Sequence, residues 1–214
     1  MSESLDGEVI RALLPDDHPR LSLLDVGCGS GARTRRIECA ASTFLDVTRH
    51  PEAPDSFVQG DAIEFLRGAR GYDMIFCLDM IEHLERPAGE ELLRLITARA
   101  QRLTVFFTPL GPMLINPGDP TGHRSGWWPE RFNALGYHTW TFPRFHDPWM
   151  DGQVWGAFYA WRWTRRESGA RTRLLHLAAR LGLVAASDAV EDNARSGDPI
   201  WRARWQEYRP RVFR

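Results

Sequence analysis

The residues best equipped for chemistry in this chain stand at the ends of apolar runs. Leu23-Leu24-Asp25-Val26 leads directly into Gly27-Cys28-Gly29-Ser30-Gly31. Glycine suits such a turn because the backbone must bend tightly and approach a ligand without interference from a Cβ. Asp25 stands two residues before the first glycine, where a carboxylate accepts hydrogen bonds from a ligand ammonium or an ordered water. Asp46 closes the next run, Thr43-Phe44-Leu45, and an acid at the tip of a second strand is placed to chelate ribose hydroxyls. Gln59-Gly60-Asp61-Ala62 follows a third run, so that Asp61 can accept from an exocyclic adenine amine. A fourth run, Tyr72 to Leu78, ends in Asp79 and continues Met80-Ile81-Glu82-His83-Leu84. The glycines alone leave a nicotinamide cofactor open, because Ala32 satisfies the looser dinucleotide fingerprint. The Asp61-Ala62 pair has no particular use in such an enzyme.

Positioning these tips requires strands that alternate with crossovers. The predicted strands are Leu21 to Val26, Thr43 to Asp46, Ser56 to Gln59, Tyr72 to Leu78 and Leu103 to Thr108, in the alternation typical of parallel sheets. A helical pattern follows Gly31, and Gly89 to Ala100 sets Leu92, Leu93, Leu95 and Ile96 on one helical face. From Pro109 to Gly122 the prolines and glycines predict a long loop of the kind that binds ligands. A short helix starts near Trp127 with Pro129 in its first turn and ends before Gly136. Tyr137 to Phe142 and Val154 to Trp163 read as two closing strands, and Ala170 to Val184 as an amphipathic helix that docks on the domain or on a partner.

The four motifs, in this order and spacing, resemble the class I S-adenosylmethionine-dependent methyltransferases, over about residues 21 to 165. The resemblance implies an α/β, Rossmann-like fold with a mostly parallel seven-stranded sheet, an antiparallel last strand and a C-terminal helical extension. It divides the chain into a donor-binding domain, 1–165, and a basic helix and tail, 166–214. It implies S-adenosyl-L-methionine as cofactor, held by Asp25, Gly27, Gly29, Gly31, Asp46, Asp61, Ala62, Leu78 and Asp79. The donor's methyl group points into a substrate cleft, where transfer to a nucleophile mainly requires alignment and, where needed, a base.

His83 and His123 are the catalytic candidates at that cleft, with His123 as a general base. The string Asp79-x-x-Glu82-His83 also resembles the acid-x-x-Glu-His arrangement of small-RNA 3′-end and ubiquinone-pathway O-methyltransferases, where such residues bind a divalent metal together with a later histidine. Here aspartate replaces the usual first glutamate, which shortens its reach. No metal is expected, and Glu82, His83 and His123 are second-rank candidates for ligands. Residues 123 to 137 resemble a segment of small bacterial methyltransferases acting on metabolites or glycans. Seven of nine tryptophans lie between Trp127 and Trp163, so Trp127, Trp128 and Trp149, with Arg124, are the substrate candidates. The expected reaction is O-methylation of a small molecule. Two alternatives stand beside it: a metal-dependent RNA 3′-end methyltransferase, and a non-catalytic scaffold that binds the donor.

Composition narrows the field further. With 214 residues, 43% hydrophobic and 26% charged, the chain can bury a full core. All 27 of its Lys+Arg residues are arginine, which removes Schiff-base and P-loop lysine chemistry. Cys28, Cys39 and Cys77 lack metal-type spacing and pair into no disulfide framework. Residues 1 to 163 are net acidic and 164 to 214 net basic, so nucleic acid is disfavoured as a general partner. No signal peptide or membrane-spanning run is evident, which leads to the expectation of a cytoplasmic protein. The short stretch before the first strand leaves the cleft open or free for a second copy of the chain, as in a homodimer.

Overall fold

The computed structural model describes residues 2–111, 122–146, 155–165 and 167–180. The first element is a helix, α1 (Ser2–Leu13), which the sequence reading did not anticipate. β1 (Ser22–Val26), β2 (Ala41–Asp46), β3 (Phe57–Gln59), β4 (Tyr72–Leu78) and β5 (Ala100–Pro109) follow, with α2 (Ala62–Gly68) between β3 and β4 and α3 (Arg86–Arg99) between β4 and β5. α4 (Pro129–Asn133), β6 (His138–His146), β7 (Trp155–Trp163) and α5 (Ser168–Arg180) complete it.

The seven strands form one sheet in the order β3-β2-β1-β4-β5-β7-β6. β1 to β5 pair in parallel, and β7 enters antiparallel between β5 and β6. This is the expected architecture. Central strands read as unbroken apolar runs because both faces are covered, and Met74, Ile75, Phe76 and Cys77 of β4 are fully buried. One core layer joins the sheet to α1 and α5 through Ile10, Leu13, Leu174 and Leu177. The other joins it to α2, α3 and α4 through Leu66, Leu92, Leu93, Ile96 and Phe132.

Two local expectations need correction. The helical pattern after Gly31 is a series of turns over Ala32 to Arg36, with only one i to i+4 bond, from Arg35 N–H to the Gly31 carbonyl at 2.9 Å. The chain must reach β2 within a few residues, which leaves no room for a full crossover helix. Conversely, α2 forms where no helix was expected, because Asp61 caps it by accepting from the N–H groups of Ile63 and Glu64, both at 2.9 Å.

α5 docks on α1, as the amphipathic reading of this segment expected, and polar contacts fix the junction. Arg102 of β5 bridges Asp17 at 3.0 Å and Glu167 at 2.8 Å, and the Trp163 indole donates to the Leu13 carbonyl at 3.0 Å. The Pro112 to Thr121 part of the predicted loop, Trp149 and residues 181–214, including the end of the predicted amphipathic helix, lie outside the described residues. Among the described residues, no helix is long and apolar enough to cross a membrane.

Candidate functional site

The sheet reverses its winding between β1 and β4, and ligands of open α/β sheets bind outside the carboxyl ends of strands at such a switch point. Here the turn after β1 supplies three glycines with positive φ: Gly27 at 70°, Gly29 at 53° and Gly31 at 70°. They serve different ends. A Cβ on Gly27 would lie 2.1 Å from the Met80 side chain, and one on Gly31 would press on Phe44 and Pro54. At Gly29 a Cβ would meet nothing within 4 Å, so this glycine faces open space above the turn.

Asp46 ties the turn to β2. Its Oδ2 accepts from Gly29 N–H at 2.9 Å and its Oδ1 from Thr48 N–H at 3.1 Å. A carboxylate offers about four lone-pair directions, so these bonds hold the acid in place and leave capacity for hydroxyl donors. Asp61 is exposed and caps α2 through Oδ1 alone, while Ala62 behind it is buried.

Beneath the turn, Asp25 is buried and accepts from the Thr34 hydroxyl. Burial pushes its carboxyl up to about 6, against a lowering by the Thr34 bond and Arg33. A cavity of about 1080 Å³ opens here, lined by Asp25, Gly27, Gly29 and Leu78 from the strand ends and by Ile10 and Arg11 of α1. Cys28 also reaches it, but burial lifts its thiol to about 12. It is no nucleophile at neutral pH.

Asp79 closes the far side of the turn region. Its φ of 52° is left-handed, a conformation aspartate tolerates better than most residues. The carboxylate pairs with Arg33, whose guanidinium lies 5.3 Å over the Phe107 ring. Asp79 therefore contacts the cavity through Arg33, a residue the sequence reading did not single out.

Beyond Asp79 lies a second polar cluster. Glu82 is buried, and its Oε2 accepts from the Thr108 hydroxyl at 2.9 Å. Its Oε1 is buried with no hydrogen-bond partner among the described residues. Burial, with the nearby Asp79 carboxylate, pushes its carboxyl up to about 8. His83 and His123 meet edge to face with ring centroids 4.8 Å apart, and ligand atoms from Glu82, His83 and His123 all lie within 4.8 Å of one another. His83 Nδ1 donates to the Gly122 carbonyl at 3.3 Å. A carbonyl can only accept, so this bond places the neutral ring's lone pair on Nε2. The loop bringing His123 here is anchored to Glu82, whose carbonyl accepts from the Arg124 and Ser125 N–H groups at 2.8 and 3.0 Å.

The substrate candidates divide. Trp127 is fully buried, its indole donating to Ser125 at 2.9 Å with the Arg86 guanidinium 4.1 Å from its ring centre. It packs against Gly89 of α3, which corrects its assignment as a substrate contact: the indole has no surface left to offer. Trp128 is 39% exposed, and Arg124 is exposed. Thr34, Thr108 and Arg33 were missed because nothing in their local sequence marks them as partners of distant acids.

No protein-family model matches the chain, and no curated protein matches it. Solved structures do. A SAM-dependent methyltransferase from Archaeoglobus fulgidus is 20% identical with a TM-score of 0.55, over 75% of this chain and 95% of that one. Magnesium protoporphyrin IX methyltransferase ChlM from Synechocystis PCC 6803, solved with bound SAH, is 15% identical with a TM-score of 0.51, over 75% and 83%. The small RNA methyltransferase HEN1 is 16% identical with a TM-score of 0.52; the match covers 77% of this chain and 26% of that one. The chain has the class I S-adenosylmethionine-dependent methyltransferase fold.

Proposed function

We infer that this protein transfers the methyl group of S-adenosyl-L-methionine to an oxygen of a small acceptor. The observation that carries this reading is the strand-tip arrangement at the switch point, where the open Gly29 turn is gripped by Asp46 beside a cavity floored by Asp25. Asp25 serves the donor's ammonium, Asp46 its ribose and Asp61, with Ala62, its adenine ring. Leu78 and Gly27 shape the floor. His123, with His83 beside it, takes the proton from the acceptor hydroxyl as its oxygen attacks the sulfonium methyl. Trp128 and Arg124 line the acceptor's approach. The fold, and the SAH bound in the neighbour ChlM, support this reading.

The test is calorimetric titration of S-adenosylhomocysteine into the wild-type chain and an Asp46→Ala variant, with NAD as control. Micromolar binding that Asp46→Ala weakens at least tenfold, about 1.4 kcal/mol, is the expected result. Absence of binding, or preference for NAD, removes the methyltransferase reading.

One observation favours a second reading, metal-dependent methylation at an RNA 3′ end. Glu82, His83 and His123 converge, and Glu82 Oε1 is buried without a partner among the described residues. One carboxylate and two imidazoles fit manganese, iron or zinc better than magnesium, which prefers oxygen ligands. A bound metal would polarise the acceptor hydroxyl. The chain's own part is to aim the three ligand atoms and to keep Asp79 apart in its pair with Arg33. Loss of methyl transfer on chelation, restored by manganese, together with steeply salt-dependent RNA binding, would favour this reading; chelator-resistant turnover of a small acceptor favours the first.

A further inference from the structure

The cavity beside the glycine turn carries more positive charge than a methyl donor needs. Arg11 of α1 and Arg35 and Arg36 of the turns after Gly31 all line it. All three are exposed, and no side-chain hydrogen bond or ion pair holds any of the three guanidinium groups among the described residues. Two other arginines on the same lining are committed: Arg33 to Asp79 and Arg173 to Asp16. The acids of the lining offer little compensation. Asp16 is taken by Arg173, and Asp25 is buried beneath the turn, where it accepts from the Thr34 hydroxyl. Glu38 is the third acid, exposed and in no ion pair among the described residues.

Unpaired guanidinium groups around one concavity repel one another, and low-dielectric walls focus their field into the space between. The arrangement becomes favourable when an anion enters, because guanidinium forks match phosphate and carboxylate oxygens. The cavity is also large for a ligand pocket. Its volume of about 1080 Å³ exceeds the roughly 300–1000 Å³ usual for a single ligand pocket.

We propose that the acceptor is a small phosphorylated molecule whose phosphate is held by Arg11, Arg35 and Arg36 in the cavity that also takes the methyl donor. The proposal rests on the methyl-transfer reading, since it names the acceptor class of that same site. α1 thus contributes Arg11 to an anion subsite, and the turns after Gly31 contribute Arg35 and Arg36.

Inorganic pyrophosphate is the probe. It is titrated calorimetrically into the full chain with and without S-adenosylhomocysteine, for the wild type, for a triple Arg11→Gln, Arg35→Gln, Arg36→Gln variant and for the matching triple lysine variant. The wild type is expected to bind one equivalent. The glutamine variant loses at least tenfold in affinity, and the lysine variant retains more than the glutamine variant because charge is kept. Homocysteine-nucleoside affinity stays within about threefold in all three. Unchanged far-ultraviolet circular dichroism and unfolding midpoints establish that the variants fold. The proposal is overturned if the wild type does not bind pyrophosphate or the glutamine variant binds it equally well. It is also overturned if S-adenosylhomocysteine affinity falls in parallel, which would assign these arginines to the donor's carboxylate. If S-adenosylhomocysteine fails to bind the wild type at all, the methyl-transfer reading falls, while the titration without it still decides whether an anion subsite exists.

Discussion

At the scale of single residues, burial decides what each polar group does. Asp25 has its carboxyl raised to about 6 by burial, so the folded state holds its proton more tightly than the unfolded chain does. The stability this proton contributes is full below the unfolded value of 3.8 and is lost as pH rises through about 6. The shift corresponds to about 3 kcal/mol at most. Asp25→Asn keeps an acceptor for Thr34 and carries no charge. It should therefore unfold at a higher temperature than the wild type at pH 8 and at nearly the same temperature at pH 4, and equal differences at both pH values would rule out burial as the cause. The two adjacent tryptophans make a matching contrast. Trp127→Ala empties a core site and orphans the Ser125 bond, which should cost about 3–5 kcal/mol in urea unfolding. Trp128→Ala, at a 39% exposed position, should leave stability within about 1 kcal/mol and raise the acceptor KM instead.

At the scale of elements, the turn between β1 and β2 separates structural glycine from ligand-facing glycine. Gly29→Ala adds a methyl to open space at a φ of 53°, so it should cost only about 1–2 kcal/mol of backbone strain. The same methyl stands where a ligand must approach, and S-adenosylhomocysteine affinity should drop at least tenfold. Gly27→Ala collides with Met80 and should destabilise more than Gly29→Ala. A Gly29→Ala variant with wild-type affinity would show that the ligand does not pass over this turn. Helix α5 carries another prediction. Leu174 is buried in the core layer shared with α1, so Leu174→Ala should cost about 2–5 kcal/mol, whereas truncating a side chain on a loosely tethered helix would cost almost nothing.

At the scale of the whole molecule, the reading of the chain divides along a physical line. The strand positions, the glycine turn and the acids at the strand tips were legible because their requirements are local: an apolar run long enough to cross a buried sheet, a backbone bend only glycine adopts easily, and an acid at or within two residues of each strand's end. The sheet order with β7 antiparallel followed from recognising those motifs together. Helix α1 was not legible, because its apolar face of Val9, Ile10 and Leu13 is short and finds its partner in α5 at the other end of the described chain. Nor does the sequence show that Trp127 is spent on the core while Trp128 beside it is exposed, since both follow the same loop and carry the same side chain. The convergence of Glu82, His83 and His123 and the arginine-lined cavity between α1 and the glycine turn belong to tertiary structure alone. Each joins side chains from segments distant in sequence, and only packing against a common sheet sets the distances between them.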